Sequence, residues 1–177
     1  MKKLITIVSV FIVLTLLKIE DTQHQTPNKI VLSKPTELER FLHDIGERES
    51  DNTPHVVNKF GMMGKYQFAP STIKVLGFNI TKKKFLTDPE LQDSVMVAYL
   101  RANNKELNSL ITKYENKIFK GIKITRSGIL AAAHLAGSAN VVRYFSNNDA
   151  YGTTDANGTS IREYMTTFSK YKLKKTI

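Results

Sequence analysis

Apolar residues recur at helical spacing through most of the chain. Leu38, Phe41, Leu42 and Ile45 form one stripe. It opens at Thr36-Glu37-Leu38-Glu39, a capping box in which the threonine oxygen and the glutamate each take a free backbone amide, so a helix is predicted from residue 37 to about residue 49. Pro70 and Thr72 start a short helix through Ile73 and Leu76, stopped by Gly77. Thr87 to Glu90, with Pro89 in the first turn, reads as a second capping box and opens a helix with Leu91, Val95, Ala98, Tyr99 and Ala102 on its inner side. Leu107, Leu110, Ile111 and Tyr114 resume the period after a polar break at Asn103-Asn104. Gly128 to Ala136 reads as a helix packed on all sides, and Val141 to Phe145 as another short one. After a turn-rich segment from Ser146 to Gly158, a third box, Ser160 to Glu163, starts a last helix with Ile161, Tyr164, Met165 and Phe168 facing inward. Strand character is confined to Ile118–Ile124 and Lys65–Phe68, and Lys82-Lys83-Lys84 reads as a solvated loop. The class is mostly α, short helices with irregular connections and at most a small β element.

The N-terminus has a different pattern. Met1-Lys2-Lys3 precedes an uncharged run from Leu4 to Leu17, apolar but for Thr6, Ser9 and Thr15, followed by Lys18, Glu20 and Asp21, the layout of an export signal. As a helix the run is about 21 Å long, short of the roughly 30 Å hydrocarbon core of a bilayer, which favours a cleaved signal over residues 1–20. No small-x-small cleavage site follows, and the first alanine is Ala69, so an anchor through residues 4–17 stays open. Residues 21–34 are polar and aperiodic, a linker, and the folded domain is expected over residues 35–177.

A length of 177 residues suits one domain with one core. The absence of cysteine excludes a disulfide framework, a cysteine nucleophile, a thiolate metal site and a lipid-modified N-terminal cysteine. Lys and Arg number 26 against 16 Asp and Glu, a net charge of +10 that calls for an anionic partner. Export and the lack of basic stretches interleaved with aromatics set nucleic acid aside, leaving an anionic membrane and an acidic cell-wall polymer. Residues 1–100 carry +2 and residues 101–177 carry +8.

Glu49 is the first candidate for chemistry. Eleven positions beyond Leu38, at about 100° per residue, it falls within about 20° of the apolar stripe and points inward, whereas Glu47 faces away and Asp44 lies off the stripe. Desolvation and the negative end of the helix both favour its neutral form, as a general acid requires. An inward glutamate that only ties down a loop by hydrogen bonds has the same periodicity. His43 and Glu47 share a helix face but lack a third metal ligand in sequence, and neither a Gly-x-Ser-x-Gly elbow nor a phosphate-binding glycine loop is present, so no metal or cofactor is expected.

Glu49-Ser50 is followed by Gly61-Met62-Met63-Gly64-Lys65-Tyr66-Gln67-Phe68-Ala69-Pro70-Ser71-Thr72. With these residues the chain resembles the lysozyme-like lytic transglycosylases of the SLT type, peptidoglycan-cleaving enzymes related to goose-type lysozyme, which pair a Glu-Ser with Gly-x-x-Gly-x-x-Gln-x-x-Pro-x-Thr. Weaker likeness continues through Phe85–Gln92 and reaches Ala131-Ala132-Ala133-His134-Leu135-Ala136-Gly137, where better-known members have Ala-Tyr-Asn-Ala-Gly. The resemblance implies a lysozyme-like fold and cleavage of the MurNAc-GlcNAc β-1,4 bond with a 1,6-anhydro product. It also implies Glu49 as the single acid and base, with Ser50, Gly64, Tyr66, Gln67 and His134 around the substrate. Glycines would let the backbone approach a sugar, and Gln67 can serve an acetamido group as both donor and acceptor. His134 stands where the family has a tyrosine near the acid; it is either a neutral hydrogen-bond partner of Glu49 or a packed histidine. Asp51 reads as a turn or capping residue rather than a second carboxylate. A glycan-binding module without activity, a hydrolytic lysozyme on the same fold, and an anchored structural protein are the competing readings.

Overall fold

The computed structural model describes residues 34–146 and 159–177, and its first element follows from the first capping box. The Thr36 amide donates to Glu39 Oε2 at 2.7 Å and the Glu39 amide to Thr36 Oγ1 at 3.2 Å. From there α1 (Glu37–Ser50) runs with Phe41, Leu42 and Ile45 buried, and it ends at Asp51 in a left-handed conformation. The further elements are α2 (Pro70–Val75), α3 (Lys82–Leu86), α4 (Pro89–Glu106), α5 (Asn108–Tyr114), β1 (Ile118–Phe119), β2 (Ile122–Lys123), α6 (Arg126–Ala136), α7 (Ser138–Phe145) and α8 (Ile161–Thr167). The fold is mostly α, and the one sheet among the described residues is an antiparallel hairpin pairing Ile118 with Lys123 and Phe119 with Ile122. Among the described residues no helix is long and apolar enough to cross a membrane. The expected signal or anchor, the linker up to residue 33 and the turn-rich segment from residue 147 lie outside the described residues.

Several local expectations shift, each for a polar reason. Lys82-Lys83-Lys84 belongs to α3, because Thr81 Oγ1 accepts the Lys84 amide at 3.2 Å and starts a helical turn; the lysines stay exposed. Asp88, not Thr87, caps α4, its carboxylate accepting the Leu91 amide at 2.9 Å, while Thr87 closes α3. The polar pair Asn103-Asn104 does not break α4. Its buried face carries Gln92, Val95, Met96, Leu100 and Asn103, so two amides sit where hydrophobic patterning expects a stripe of apolar residues, and Ala102 is exposed. Asn103 is tolerated there because its amide donates to the Tyr99 carbonyl at 3.0 Å. Lys65–Phe68 is a turn rather than a strand; Met63 bridges Val57 on one side and Phe68 on the other. Ser160 accepts the Glu163 amide at 3.0 Å, but the Glu163 carboxylate turns to Arg48 instead of closing the third box.

Helix α6 runs through the centre of the core, with Ile129 to Ala133 fully buried. Helix α8 crosses it at Gly128, where a Cβ would lie 2.5 Å from the Met165 carbonyl oxygen, so two backbones meet at a spot that admits no side chain. Phe168, the C-cap of α8, and Tyr171 beyond it both pack edge-on with Phe41, with ring centres 5.8 and 5.3 Å away. The last helix is thereby locked to the first.

Gln92 is the most consequential buried polar residue. Its Oε1 accepts the Lys65 amide at 2.8 Å, and its Nε2 donates to the Pro54 and Phe85 carbonyls at 2.8 Å each. One side chain thus satisfies three backbone groups, two from connections and one from the last turn of α3. Gln92→Leu should strand the Lys65 amide and the Pro54 carbonyl, since the Phe85 carbonyl also accepts the Asp88 amide at 3.4 Å, and destabilise the protein by about 2 kcal/mol or more, at 1–3 kcal/mol for each unsatisfied group. A urea denaturation midpoint equal to that of the wild type would refute the assignment.

Candidate functional site

The end of α1, the turn before α2 and the helices α4, α6 and α8 enclose a cleft of about 680 Å³. Glu49, on the last turn of α1, reaches it with its side chain 19% exposed. The Tyr164 hydroxyl, from α8, donates to Glu49 Oε1 at 2.6 Å. His134 Nε2, from α6, lies 3.8 Å from the same oxygen, beyond hydrogen-bond reach. Periodicity alone therefore aims Glu49 correctly, but its hydrogen-bond partner is a residue that patterning assigns to the core.

The electrostatics of the three groups differ. Burial, reinforced by the charge of Glu49, pushes the Tyr164 phenol far above its ordinary range, with Arg48 pulling the other way. It is a phenol at any working pH. Burial lowers the His134 imidazole below its ordinary 6.5, outweighing the Glu49 charge and the Tyr66 backbone group, which raise it. The ring is neutral at pH 7, and its Nδ1 makes no hydrogen bond of ordinary geometry. The guanidinium of Arg48 lies 4.9 Å over the Tyr164 ring and pairs with Glu163, so this cation is engaged on α8 rather than with Glu49.

Gln67 lines the cleft from a left-handed turn position, φ 50°, with Nε2 donating to the Gly64 carbonyl at 2.9 Å. Its second amide hydrogen and its oxygen remain for a ligand. Three other residues expected around the substrate do not line the cleft. Ser50 Oγ donates to the Lys65 carbonyl at 2.8 Å and accepts the Thr53 amide at 3.1 Å, which ties the helix end to the turn. Gly64, φ 73°, is required by Gln92: a Cβ there would sit 2.5 Å from Gln92 Oε1, so the close approach is to that side chain. Tyr66 is 2% exposed, and its hydroxyl donates to Asp93 Oδ1 at 2.5 Å. These three hold the turn that presents Gln67.

Other cleft residues escape a reading by pattern. Tyr99 lines a wall and donates to the Ala133 carbonyl at 2.9 Å, and Phe60 stands 60% exposed at the mouth. Asn58 Oδ1 holds that loop by accepting the Phe60 amide at 2.8 Å and the Met62 amide at 3.0 Å. For Tyr164 the sequence signal exists but is weak: a tyrosine at a buried helix position needs a partner for its hydroxyl. Asp51 is the exposed cap of α1, and among the described residues lining the cleft Glu49 is the only carboxylate. Among the described residues no group of three His, Asp or Glu is placed to hold a metal ion.

Because the folded state depresses the affinity of His134 for protons, the unfolded chain binds more protons below about pH 6.5. The contribution of His134 to stability is therefore complete above that pH and is lost as pH falls toward its lowered value. Nitrogen NMR should show the imidazole titrating below the ordinary 6.5, and the fall in denaturation midpoint from pH 7.5 to 5.5 should be smaller in His134→Gln. A ring that titrates at or above 6.5 would contradict the neutral assignment.

The family model described as Transglycosylase SLT domain matches residues 28–157, a stretch that begins within the expected linker and stops short of α8. No curated protein and no solved structure matches the chain.

Proposed function

The chain belongs to the transglycosylase SLT family, whose members are lytic transglycosylases that cleave glycosidic bonds of peptidoglycan, and on that premise we propose that it cuts the MurNAc-GlcNAc β-1,4 bond with Glu49 as both acid and base. The observation that carries this reading is the sole cleft carboxylate among the described residues, held through one oxygen by Tyr164 beside an uncharged imidazole. Protonated Glu49 gives its proton to the glycosidic oxygen as the bond to the sugar C1 breaks, and the acetamido oxygen of the same sugar supports C1. The carboxylate left behind takes the proton of the C6 hydroxyl, whose oxygen closes on C1. One proton leaves Glu49 and one returns, no water is consumed, and the product is a 1,6-anhydro sugar. Gln67 supplies donor and acceptor for the acetamido group, and neutral His134 places no positive charge beside the acid.

A two-carboxylate hydrolase needs a second acid within roughly 5–9.5 Å of the first. The described cleft lining offers none, which favours the non-hydrolytic route. The family acts on peptidoglycan in the cell envelope, and export by residues 1–20, as a cleaved signal or a retained anchor, followed by the linker 21–34 and a catalytic domain over residues 35–177, accords with that setting. The +8 charge of residues 101–177 then serves as long-range attraction to acidic wall polymers and stem peptides.

Digestion of purified peptidoglycan should release anhydro-ended fragments by mass spectrometry, and Glu49→Gln should lower the rate at least about 100-fold. Reducing ends would identify a hydrolytic lysozyme instead. Sedimentation with peptidoglycan and no released fragment would identify a binding module.

A further inference from the structure

We propose that Phe60 is the platform of an outer sugar subsite at the mouth of the cleft, where its ring stacks on the apolar C–H face of a glycan residue away from the bond that is cut. The inference rests on the reading of the cleft as a glycan site, but not on Glu49 as the acid. It starts from an exposed ring in a particular place. Phe60, Val75, Ile118 and Val142 are the large apolar side chains left exposed among the described residues, and of these only Phe60 lines the cleft. At 60% exposure the ring contributes little to the core, so folding alone does not account for it.

A lone exposed phenylalanine is ordinary; this one is clamped. The Asn58 carbonyl accepts the Gly61 amide at 2.9 Å, and the Asn58 amide donates to the Met62 carbonyl at 3.0 Å. Asn58 Oδ1 takes the Phe60 and Met62 amides as well, so four hydrogen bonds converge on one residue to fix the turn. Beyond it Val57 bridges Met63, and Met63 exchanges two backbone hydrogen bonds with Phe68, each 2.9 Å. The turn bearing Phe60 and the turn bearing Gln67 are therefore one backbone unit, which presents a ring and an amide to the same ligand at a fixed separation.

The two contacts suit different parts of one strand. β-1,4-linked N-acetylated sugars carry their substituents equatorially, which leaves axial C–H bonds to form an apolar face on each ring. Gln67 matches the acetamido group, and Phe60 offers a flat apolar surface to such a face. The Lys59 ammonium lies over the Phe60 ring, 5.1 Å from its centre, so the cation takes one side and the sugar the other. At the mouth, the stacked sugar is held alike before and during bond breaking. Such uniform binding appears in KM and not in kcat.

The test uses the full chain and soluble peptidoglycan strands. The sequence contains no tryptophan, so Phe60→Trp combined with Glu49→Gln places a single indole at the mouth of a cleft that does not cut. Strands stripped of their stem peptides should shift its emission to shorter wavelength, saturably, and peptide-bearing strands should do the same. In the otherwise wild-type chain, Phe60→Ala and Phe60→Leu should each raise KM about 3- to 10-fold with kcat within about twofold, the size of an aromatic contact. Both should keep the wild-type denaturation midpoint, because the ring is exposed. An unchanged emission while calorimetry shows the strands binding, a shift given only by peptide-bearing strands, or a wild-type KM in Phe60→Leu overturns the inference. Strands that do not bind at all overturn the glycan reading of the cleft, and the subsite falls with it. A shift in emission where the wild type releases no fragments supports the subsite and places it in a binding module, so the two failures are distinguishable.

Discussion

The buried amide of Gln92 is the constraint on which the geometry of the cleft depends. Three chain segments converge on it: the loop after α1 through Pro54, the turn before α2 through Lys65, and the end of α3 through Phe85. The first two belong to no helix or sheet whose ladder would absorb their backbone groups, and buried without partners those groups would cost more than the local packing returns. A single amide with one acceptor and two donor hydrogens meets the demand. It also dictates a neighbour, because Gly64 passes so close to the amide that no side chain fits. The position of Gln67, three residues on, is inherited from this junction.

A second theme is the management of charge around one acid. Asp93, just outside the cleft, is quenched by Lys65 and by the Tyr66 hydroxyl, both at 2.5 Å. Glu49 receives a neutral hydroxyl instead, next to an imidazole kept uncharged by burial, while the adjacent cation Arg48 is committed to Glu163. Two carboxylates in one small domain are thus given different surroundings: Asp93 is held by a cation and a hydroxyl, and Glu49 by the Tyr164 hydroxyl on Oε1 beside a neutral ring.

Much of the fold was legible from local chemistry. The first capping box, the proline at the start of α2 and the alanine-rich α6 all depend on interactions within one turn or on side-chain size, and a sequence displays these directly. Legibility failed where a polar residue acts through tertiary partners. Asn103 looks like a helix break and is a satisfied buried amide; Thr87 looks like a cap and yields to Asp88; Glu163 looks like half of a capping box and pairs with Arg48.

By itself the sequence determined the inward aim of Glu49, because an angle along one helix is a local property, and the segment presenting Gln67, because its spacing is a motif. Only the tertiary structure decided what those residues meet. Tyr164 is 115 positions from Glu49, and Gln92 is 27 positions from Lys65. Contacts at such separations arise when helices cross, here where α8 meets α6 at Gly128 and where α4 passes beneath the turn. Helical periodicity records which face of an element is buried but not which partner covers it. For that reason Ser50, Gly64 and Tyr66, read as substrate contacts, are framework, while a tyrosine read as core stands on the acid.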